Sequence, residues 1–500
     1  FRYSTKAVDP VLTFCDEIIP IARYRSPVEL DRRGLLLATV ALGTAAGANM
    51  LAPPAMAASA LPAPATPLSP TLLSLFAAPT FNDEALFALG AASSHTAEVG
   101  EVLAIANAIN ARTSNPASPS AAAFDAYYDI FGDYHEQLAE QAKQAADNGH
   151  DITAQNRYLR ASMYAAQQLF FVLGTTDGER EAVIARQAQA LWLEGIENFE
   201  PKPIRFTVPS KFGAIPGTFF PSPKGSGRRP TVIISEGSDG QNVETMQFGV
   251  TAGLARGYNV VLFEGPGQMS LLFQRKQPFT PDWQDVVGPV LDWTKARSDV
   301  GKVALIGISF GGLLCIRAGA RLKDLDALVL EPGAYDFTTM WSDQESMAVV
   351  KETYRAPAPE KAGAKQGLNE GFLQAWPHLP RTEQFNIYKR GEIFSPQVQR
   401  QARAGLPISD YYGLLETMLP FKYGADLRAM TVPTMVVANE GDEFFGEQPD
   451  KAYTMLTRLP RSQKELVHLN AKQGASLHDQ PVGPQVAEEI VFDWLDDQLS

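Results

Sequence analysis

Six short apolar runs punctuate the chain after Pro201, and they limit its fold more than any other feature. They read TVIISEG, NVVLFEG, KVALIGIS, ALVLEPG, TMVVANEG and KELVHLN. They are short and mostly apolar, several rich in β-branched residues, and most are separated by a stretch long enough for a helix. Near-continuous apolar character marks strands buried on both faces, and the strand–helix rhythm is that of a mostly parallel, doubly wound sheet. One interval is too long for a simple crossover: about 90 residues, from about 338 to 428, separate the fourth and fifth runs. They carry many aromatics, Trp341, Tyr354, Trp376 and Tyr411 among them. An insertion at the carboxyl end of a strand overhangs the place where open α/β sheets bind ligands, so it reads as a lid. A subdomain whose aromatics form only its own core is the alternative.

The region before Pro201 has a different period. The stretches YYDIFGDYHEQLAEQAKQAADNGHD and TAQNRYLRASMYAAQQLFFVLG place apolar residues at helical spacing, with Gly149 and Gly174 where helices should stop. The expected domains are therefore all-helical over 80–200 and sheet-based over 201–500. Residues 58–79, rich in Pro and Ala, read as a linker.

Upstream, Arg32-Arg33 precedes an Ala/Leu/Gly-rich stretch that ends near Ala48, and Ala55-Met56-Ala57 follows as a small-x-small cleavage site. Residues 1–57 thus read as an upstream extension followed by a twin-arginine signal, predicting a periplasmic or secreted protein. An uncleaved anchor or an ordinary amphipathic helix is the alternative. The apolar part is short and glycine-rich, so no stable membrane insertion is expected after cleavage. With a net charge of −13 and no basic block, nucleic acid is not expected as a partner. Cys15 and Cys315 are the only cysteines, which excludes a disulfide framework, and no Cys/His group has zinc-ligand spacing. Neither a metal nor a cofactor is expected.

The chemistry centres on Gly307-Ile308-Ser309-Phe310-Gly311. Ser309 is either a small residue in a tight strand-to-helix turn or a nucleophile exposed by that turn. Context favours the nucleophile, because KVALI supplies a strand and GGLLCIRAGARL a helix with small residues at its start. The helix start also offers the Phe310 N–H as half of an oxyanion hole. A serine nucleophile needs a base, and the base an orienting acid. His468 lies inside the apolar ELVHL run, where packing in a core is the usual role. His478, in the loop GASLHDQ, can reach Ser309. For the acid, the loop that opens at the end of TMVVANEG holds Glu440, Asp442, Glu443 and Glu447; Asp442, just after Gly441, is best placed, and Glu331 at the end of ALVLE competes. The second oxyanion donor is expected after an early strand, in IISEGSDG, where Gly237 allows the turn and Ser238 N–H points inward. Glu236, Gly237, Glu331, Met269 and Trp341 are candidates for the substrate pocket.

These motifs together resemble the α/β-hydrolases that carry an N-terminal helical domain. That family includes 2,6-dihydroxypseudooxynicotine hydrolase, the fungal pigment hydrolases that shorten a polyketide chain, and the fermentation-respiration-switch-like proteins. The resemblance runs from about Phe124 to the C-terminus and rests on EGSDG, ARGYNVVLFEGPGQ, PDWQDVVGPVLDW, LIGISFGG, LEPGAYD, NEGDEFF and GASLHDQ. It implies the α/β-hydrolase fold with a helical lid, and a triad on Ser309, Asp442 and His478. It implies hydrolysis of an ester, amide or β-diketone C–C bond in a small aromatic or polyketide-like molecule, and a homodimer. Two departures stand at the pocket edge: Glu236 replaces a glycine, and Gly267-Gln268-Met269 replaces Gly-Gln-Gly. A prolyl-oligopeptidase-like peptidase would use the same triad but should carry an N-terminal β-propeller. A non-catalytic hydrolase-fold binding protein is the other alternative.

Overall fold

A computed structural model describes residues 73–225 and 227–500. The segment read as a signal, and most of that read as a linker, lie outside the described residues. The last part of the linker segment is packed: Leu75, Phe76 and Ala78 are buried, and Leu75 N–H donates to Asn82 Oδ1 at 2.7 Å. Apolar side chains at these positions have a core to join, which the Pro/Ala composition hides.

Among the described residues, eight strands form one sheet: β1 (Ile204–Ser210), β2 (Gly213–Phe220), β3 (Arg229–Ser235), β4 (Asn259–Phe263), β5 (Val300–Ile308), β6 (Ala327–Glu331), β7 (Thr434–Asn439) and β8 (Lys464–Leu469). Their order is β1-β2-β4-β3-β5-β6-β7-β8. β4, β3, β5, β6, β7 and β8 run parallel, and the β1–β2 hairpin adds antiparallel to β4. The six runs read from sequence are β3 to β8. Every residue of β4, β6 and β7 is buried, as strands covered on both faces must be. The hairpin escapes the sequence pattern because Pro209, Gly213, Pro216 and Gly217 interrupt its alternation. β1, which carries Pro209, is the edge strand of the sheet, where a missing N–H is tolerated. The opposite edge, β8, explains a difference at His468. That side chain is 59% exposed and its Nε2 meets Asp450 Oδ1 at 2.9 Å, so it is not a packed core histidine.

Among the described residues, five α-helices precede the sheet: α1 (Pro79–Gly90), α2 (Val99–Thr113), α3 (Ala121–Asp147), α4 (Asp151–Phe171) and α5 (Glu181–Ile196). Helices thus occupy the place where the peptidase alternative requires a β-propeller. Their core is aromatic, with Phe81 ring centroids 4.9–5.0 Å from Phe124, Tyr127 and Phe171. Between the strands come α6 (Val250–Arg256), α7 (Met269–Phe273), α8 (Gln284–Lys295) and α9 (Phe310–Arg321). The long insertion between β6 and β7 is helical: α10 (Gln344–Thr353), α11 (Ala358–Ala375), α12 (Arg381–Glu392), α13 (Pro396–Arg403), α14 (Tyr411–Met418) and α15 (Gly424–Ala429). Then follow α16 (Gln448–Met455) and α17 (Pro484–Leu499).

The insertion is tied to the N-terminal helices as well as to itself. Arg381 on α12 donates to the carbonyls of Leu173, Gly174 and Thr175, and Phe385 packs 5.2 Å from Phe124. Arg403 on α13 donates to the buried Glu181 carboxylate at 2.6 Å. Charge-assisted bonds between buried partners hold better than exposed pairs, so the insertion is anchored at its α12–α13 end.

Candidate active site

β5 ends at Ile308, and the chain turns at once into α9. Ser309 occupies the turn with φ 52° and ψ −124°, a conformation that costs a non-glycine residue on the order of 1–3 kcal/mol. The surrounding glycines make it possible. A Cβ at Gly307 would come 2.4 Å from Gly311 O, one at Gly311 2.3 Å from Ser235 O, and one at Gly312 2.3 Å from Pro332 O. The Ser309 N–H is fixed by a 2.7 Å bond to Glu331 O on the neighbouring strand.

Ser309 Oγ lies 2.9 Å from His478 Nε2. On the other side of the ring, His478 Nδ1 lies 3.0 Å from Asp442 Oδ2. The second oxygen of Asp442, Oδ1, accepts from the N–H groups of Phe444 and Phe445 at 2.9 and 3.0 Å. The rings of Phe444 and Phe445 stand edge-on to the imidazole at 4.9 and 5.0 Å. One short loop after β7 thus supplies the acid, the donors that satisfy it and two walls for the histidine. Burial works against the Asp442 charge, but His478 and the two N–H groups hold its carboxyl below the usual carboxylate value. Glu331, the competing acid, stands elsewhere. It faces the Asp479 and Glu488 carboxylates, and burial first, then these neighbours, pushes it up to about 8.

The loop after β3 presses against Ser309. A Cβ on Gly237 would fall 2.7 Å from Ser309 Cβ and 3.1 Å from Phe310 N, so the Gly237 backbone and the Phe310 N–H border one small space. Ser238 follows directly. Its hydroxyl donates to Asp239 Oδ2 at 2.8 Å, and Arg390 on the insertion helix α12 bonds the same carboxylate. Lys389 Nζ, also on α12, lies 3.9 Å from Asp239 Oδ1. Burial opposes the Asp239 charge, but the Arg390 and Lys389 cations hold its carboxyl below the usual value. From the other side Gln268 donates to the carbonyls of Glu236 and Gly237 and accepts from Gly265 N–H at 2.9 Å. Arg390, Lys389, Asp239 and Gln268 were not among the residues singled out from sequence. Gln268 and Asp239 carried a signal, in the GPGQ and EGSDG motifs.

The remaining pocket candidates divide. Glu236 is buried beside the turn, its Oε2 without a hydrogen-bond partner among the described residues, and burial followed by Glu244, Asp239 and Asp479 pushes it well above the usual value. Met269 begins α7 with φ 41° and a buried side chain. Trp341 belongs to the core of the insertion, where its Nε1 donates to Tyr411 Oη at 2.9 Å. Other aromatic side chains surround the Phe310 ring: Phe279 at 4.9 Å, and Phe337, Phe394 and Phe421 at 5.1–5.9 Å. A hydroxyl, an imidazole and an ionised carboxylate in this relay can take the serine proton and generate an attacking oxygen at Ser309.

Comparison with known proteins agrees with this architecture. The model of the Alpha/beta hydrolase family matches residues 241–483, which hold all three relay residues. Over 321 residues the chain is 30% identical to the alpha/beta hydrolase psoB of Aspergillus fumigatus, covering 61% of this chain and 65% of that protein. It is 28% identical over 409 residues to the alpha/beta hydrolase xenA of Xenoacremonium sinensis, covering 77% and 88%. It is 30% identical over 261 residues to the 20-hydroxy-prefusarin hydrolase FUS2 of Gibberella moniliformis, covering 50% and 60%. The chain therefore spans less than two thirds of psoB and of FUS2. Among solved structures, 2,6-dihydroxy-pseudo-oxynicotine hydrolase superposes with a TM-score of 0.56 at 17% identity, over 82% of this chain and 95% of that one, a likeness of fold.

Proposed function

From the match of residues 241–483 to the Alpha/beta hydrolase family and the relay within them, we propose that the chain is a serine hydrolase in which Ser309 is the nucleophile, His478 the base and Asp442 the orienting acid. The observation that carries the reading is the unbroken relay Ser309 Oγ–His478 Nε2–Nδ1–Asp442 Oδ2, at 2.9 and 3.0 Å, on a serine held at positive φ. His478 Nε2 takes the Ser309 proton as Oγ attacks a carbonyl carbon. The N–H groups of Phe310 and Ser238 receive the developing oxyanion; the approach of the Gly237 backbone to Phe310 N supports that placement. The leaving group departs with a proton, and water then releases the acyl group from Ser309.

The substrate is a small aromatic or polyketide-like ester, amide or β-diketone. The lid aromatics around Phe310 support this, as does the likeness to a hydrolase named for 20-hydroxy-prefusarin. Export through the twin-arginine route and a homodimer belong to the same proposal, the first resting on Arg32-Arg33 and Ala55-Met56-Ala57. The test is a panel of p-nitrophenyl esters, anilides and aryl 1,3-diketones offered to wild type and Ser309→Ala. Turnover of at least one class, abolished in Ser309→Ala, is expected; no turnover of any, or turnover that survives the substitution, overturns the reading.

A further inference from the structure

A second carboxyl group approaches the imidazole from the side of the nucleophile. Asp479 Oδ2 lies 3.3 Å from His478 Nε2, the same nitrogen that Ser309 Oγ engages at 2.9 Å. The orienting role is already filled at Nδ1 by Asp442, so this group is not needed to set the tautomer or the ring angle.

Asp479 is held there at a cost. It has φ 54°, and its neighbours Leu477 and Gln480 have φ 71° and 47°, three residues in the left-handed region within four positions. The loop is pinned to the end of β7, where Leu477 N–H donates to Glu440 O at 2.8 Å and Gln480 Nε2 to Asn439 Oδ1 at 2.7 Å. Strain of this kind persists only where surrounding contacts enforce it, and here those contacts enforce the aim of His478 and Asp479 together. The Asp479 side chain is buried, and its Oδ1 has no hydrogen-bond partner among the described residues.

We propose that Asp479 is a further catalytic residue, the acid that protonates the leaving group. The proposal rests on the serine-hydrolase reading. Ser309 gives its proton to His478 Nε2 while Oγ bonds to the carbonyl carbon. When the tetrahedral adduct collapses, the C–O or C–C bond breaks and its electron pair leaves as an alkoxide or enolate. That anion takes the proton of the neutral Asp479 carboxyl. The resulting carboxylate takes the Nε2 proton of the imidazolium 3.3 Å away, so His478 is neutral again for the attack of water. Water gives its proton to His478 Nε2, which returns it to Ser309 Oγ as the acid product departs.

The surroundings raise the proton affinity of both groups, and the form with the pair's single proton on Asp479 and His478 neutral is the reactive one. Asp479 is faced by His478 and Asp442 from the loops after β8 and β7, by Asp239 from the loop after β3, by the Glu236 and Glu331 carboxyls, and by the Ser309 backbone; Arg390 on α12 stands near His478. Burial, then the repulsion of Asp442 and Asp239 against the attraction of His478, pushes Asp479 up to about 7. Asp442 is held below the usual value by its own partners. Two carboxyls on one imidazole whose environments push them apart divide the work into acid and orienter.

The test compares leaving groups. Asp479→Asn should slow cleavage of ethyl esters and aryl 1,3-diketones about 100-fold more than cleavage of p-nitrophenyl esters, whose anion needs no proton. An equal loss across both classes overturns the proposal and leaves Asp479 as a support for His478. Because that variant can fail to fold, wild type is read as well. Its rates along an ester series of rising leaving-group pKa should vary little, and a steep fall overturns the proposal. Absence of Ser309-dependent turnover in wild type would instead sink the serine-hydrolase reading on which this one rests.

Discussion

Gly237 stands so close to Ser309 that a Cβ there would lie 2.7 Å from the serine's own Cβ. Contact this tight means that the loop after β3 and the strand-to-helix turn fit together only with glycine between them. Gly237→Ala must push either the loop or Ser309 aside, and a displacement near 1 Å at a reacting centre costs about 100-fold in rate. We expect kcat to fall by that order while thermal unfolding changes little, since the position is in a loop. Unchanged kcat would show that the two segments do not meet at the reacting atoms.

Asp442 and His468 provide a contrast. Asp442→Asn keeps the shape of the loop but loses the charge that supports the imidazolium, and should lower kcat roughly 10³–10⁴-fold. His468→Ala, on the exposed edge strand β8, should leave kcat within about twofold, because its partner Asp450 is exposed as well. Steady-state kinetics of the two variants decide between the histidines; a large loss in His468→Ala would contradict the assignment.

Rate should depend on pH through the His478–Asp479 pair. Burial disfavours the His478 imidazolium, but Asp479 and Asp442 outweigh it and hold the ring up at about 9, while Asp479 is pushed up to about 7. The two titrate as a pair. Below about 7 both are protonated and no base is available; between about 7 and 9 the pair holds one proton and reacts through the form that has it on Asp479; above about 9 neither carries a proton and the acid is gone. A bell-shaped kcat/KM profile for alkyl esters follows, with limbs near those values. In Asp479→Asn the alkaline limb should vanish and the acid limb move down. A single rise with a midpoint near the ordinary histidine value would contradict the pairing.

Stability should fall as pH rises. Burial pushes Glu331 and Glu488 up to about 8 each, against an ordinary value of 4.5. A carboxyl whose folded pKa is raised binds its proton more tightly folded than unfolded. Its contribution is therefore present in full below the unfolded value and is lost as pH climbs through the folded one. Melting temperature should drop on the order of a few degrees between pH 5 and pH 9, and Glu331→Gln should reduce that drop. A melting temperature that rises over this range would contradict the burial of these acids.

The sequence signals that survived are those with short range. A glycine-fenced serine between a strand run and a helix, an acid at the end of one strand run and a histidine in the last loop can each be read within a dozen residues. The structure brings Ser309, Asp442 and His478 within hydrogen-bond reach. What stayed hidden depends on meetings across the chain. Arg390 reaches Asp239 from 151 positions away, and nothing in either local pattern announces that pairing. The β1–β2 hairpin was obscured by prolines and glycines that interrupt its alternation. Asp479 was in plain view beside His478, but its role depends on φ and burial, which a sequence does not display.

The most direct measurement is labelling with a fluorophosphonate probe followed by mass analysis of the modified peptide. The account predicts one adduct, on Ser309, absent in Ser309→Ala and strongly slowed in His478→Ala. A wild-type protein that takes no label, or that takes it equally well with Ser309 replaced, would contradict it.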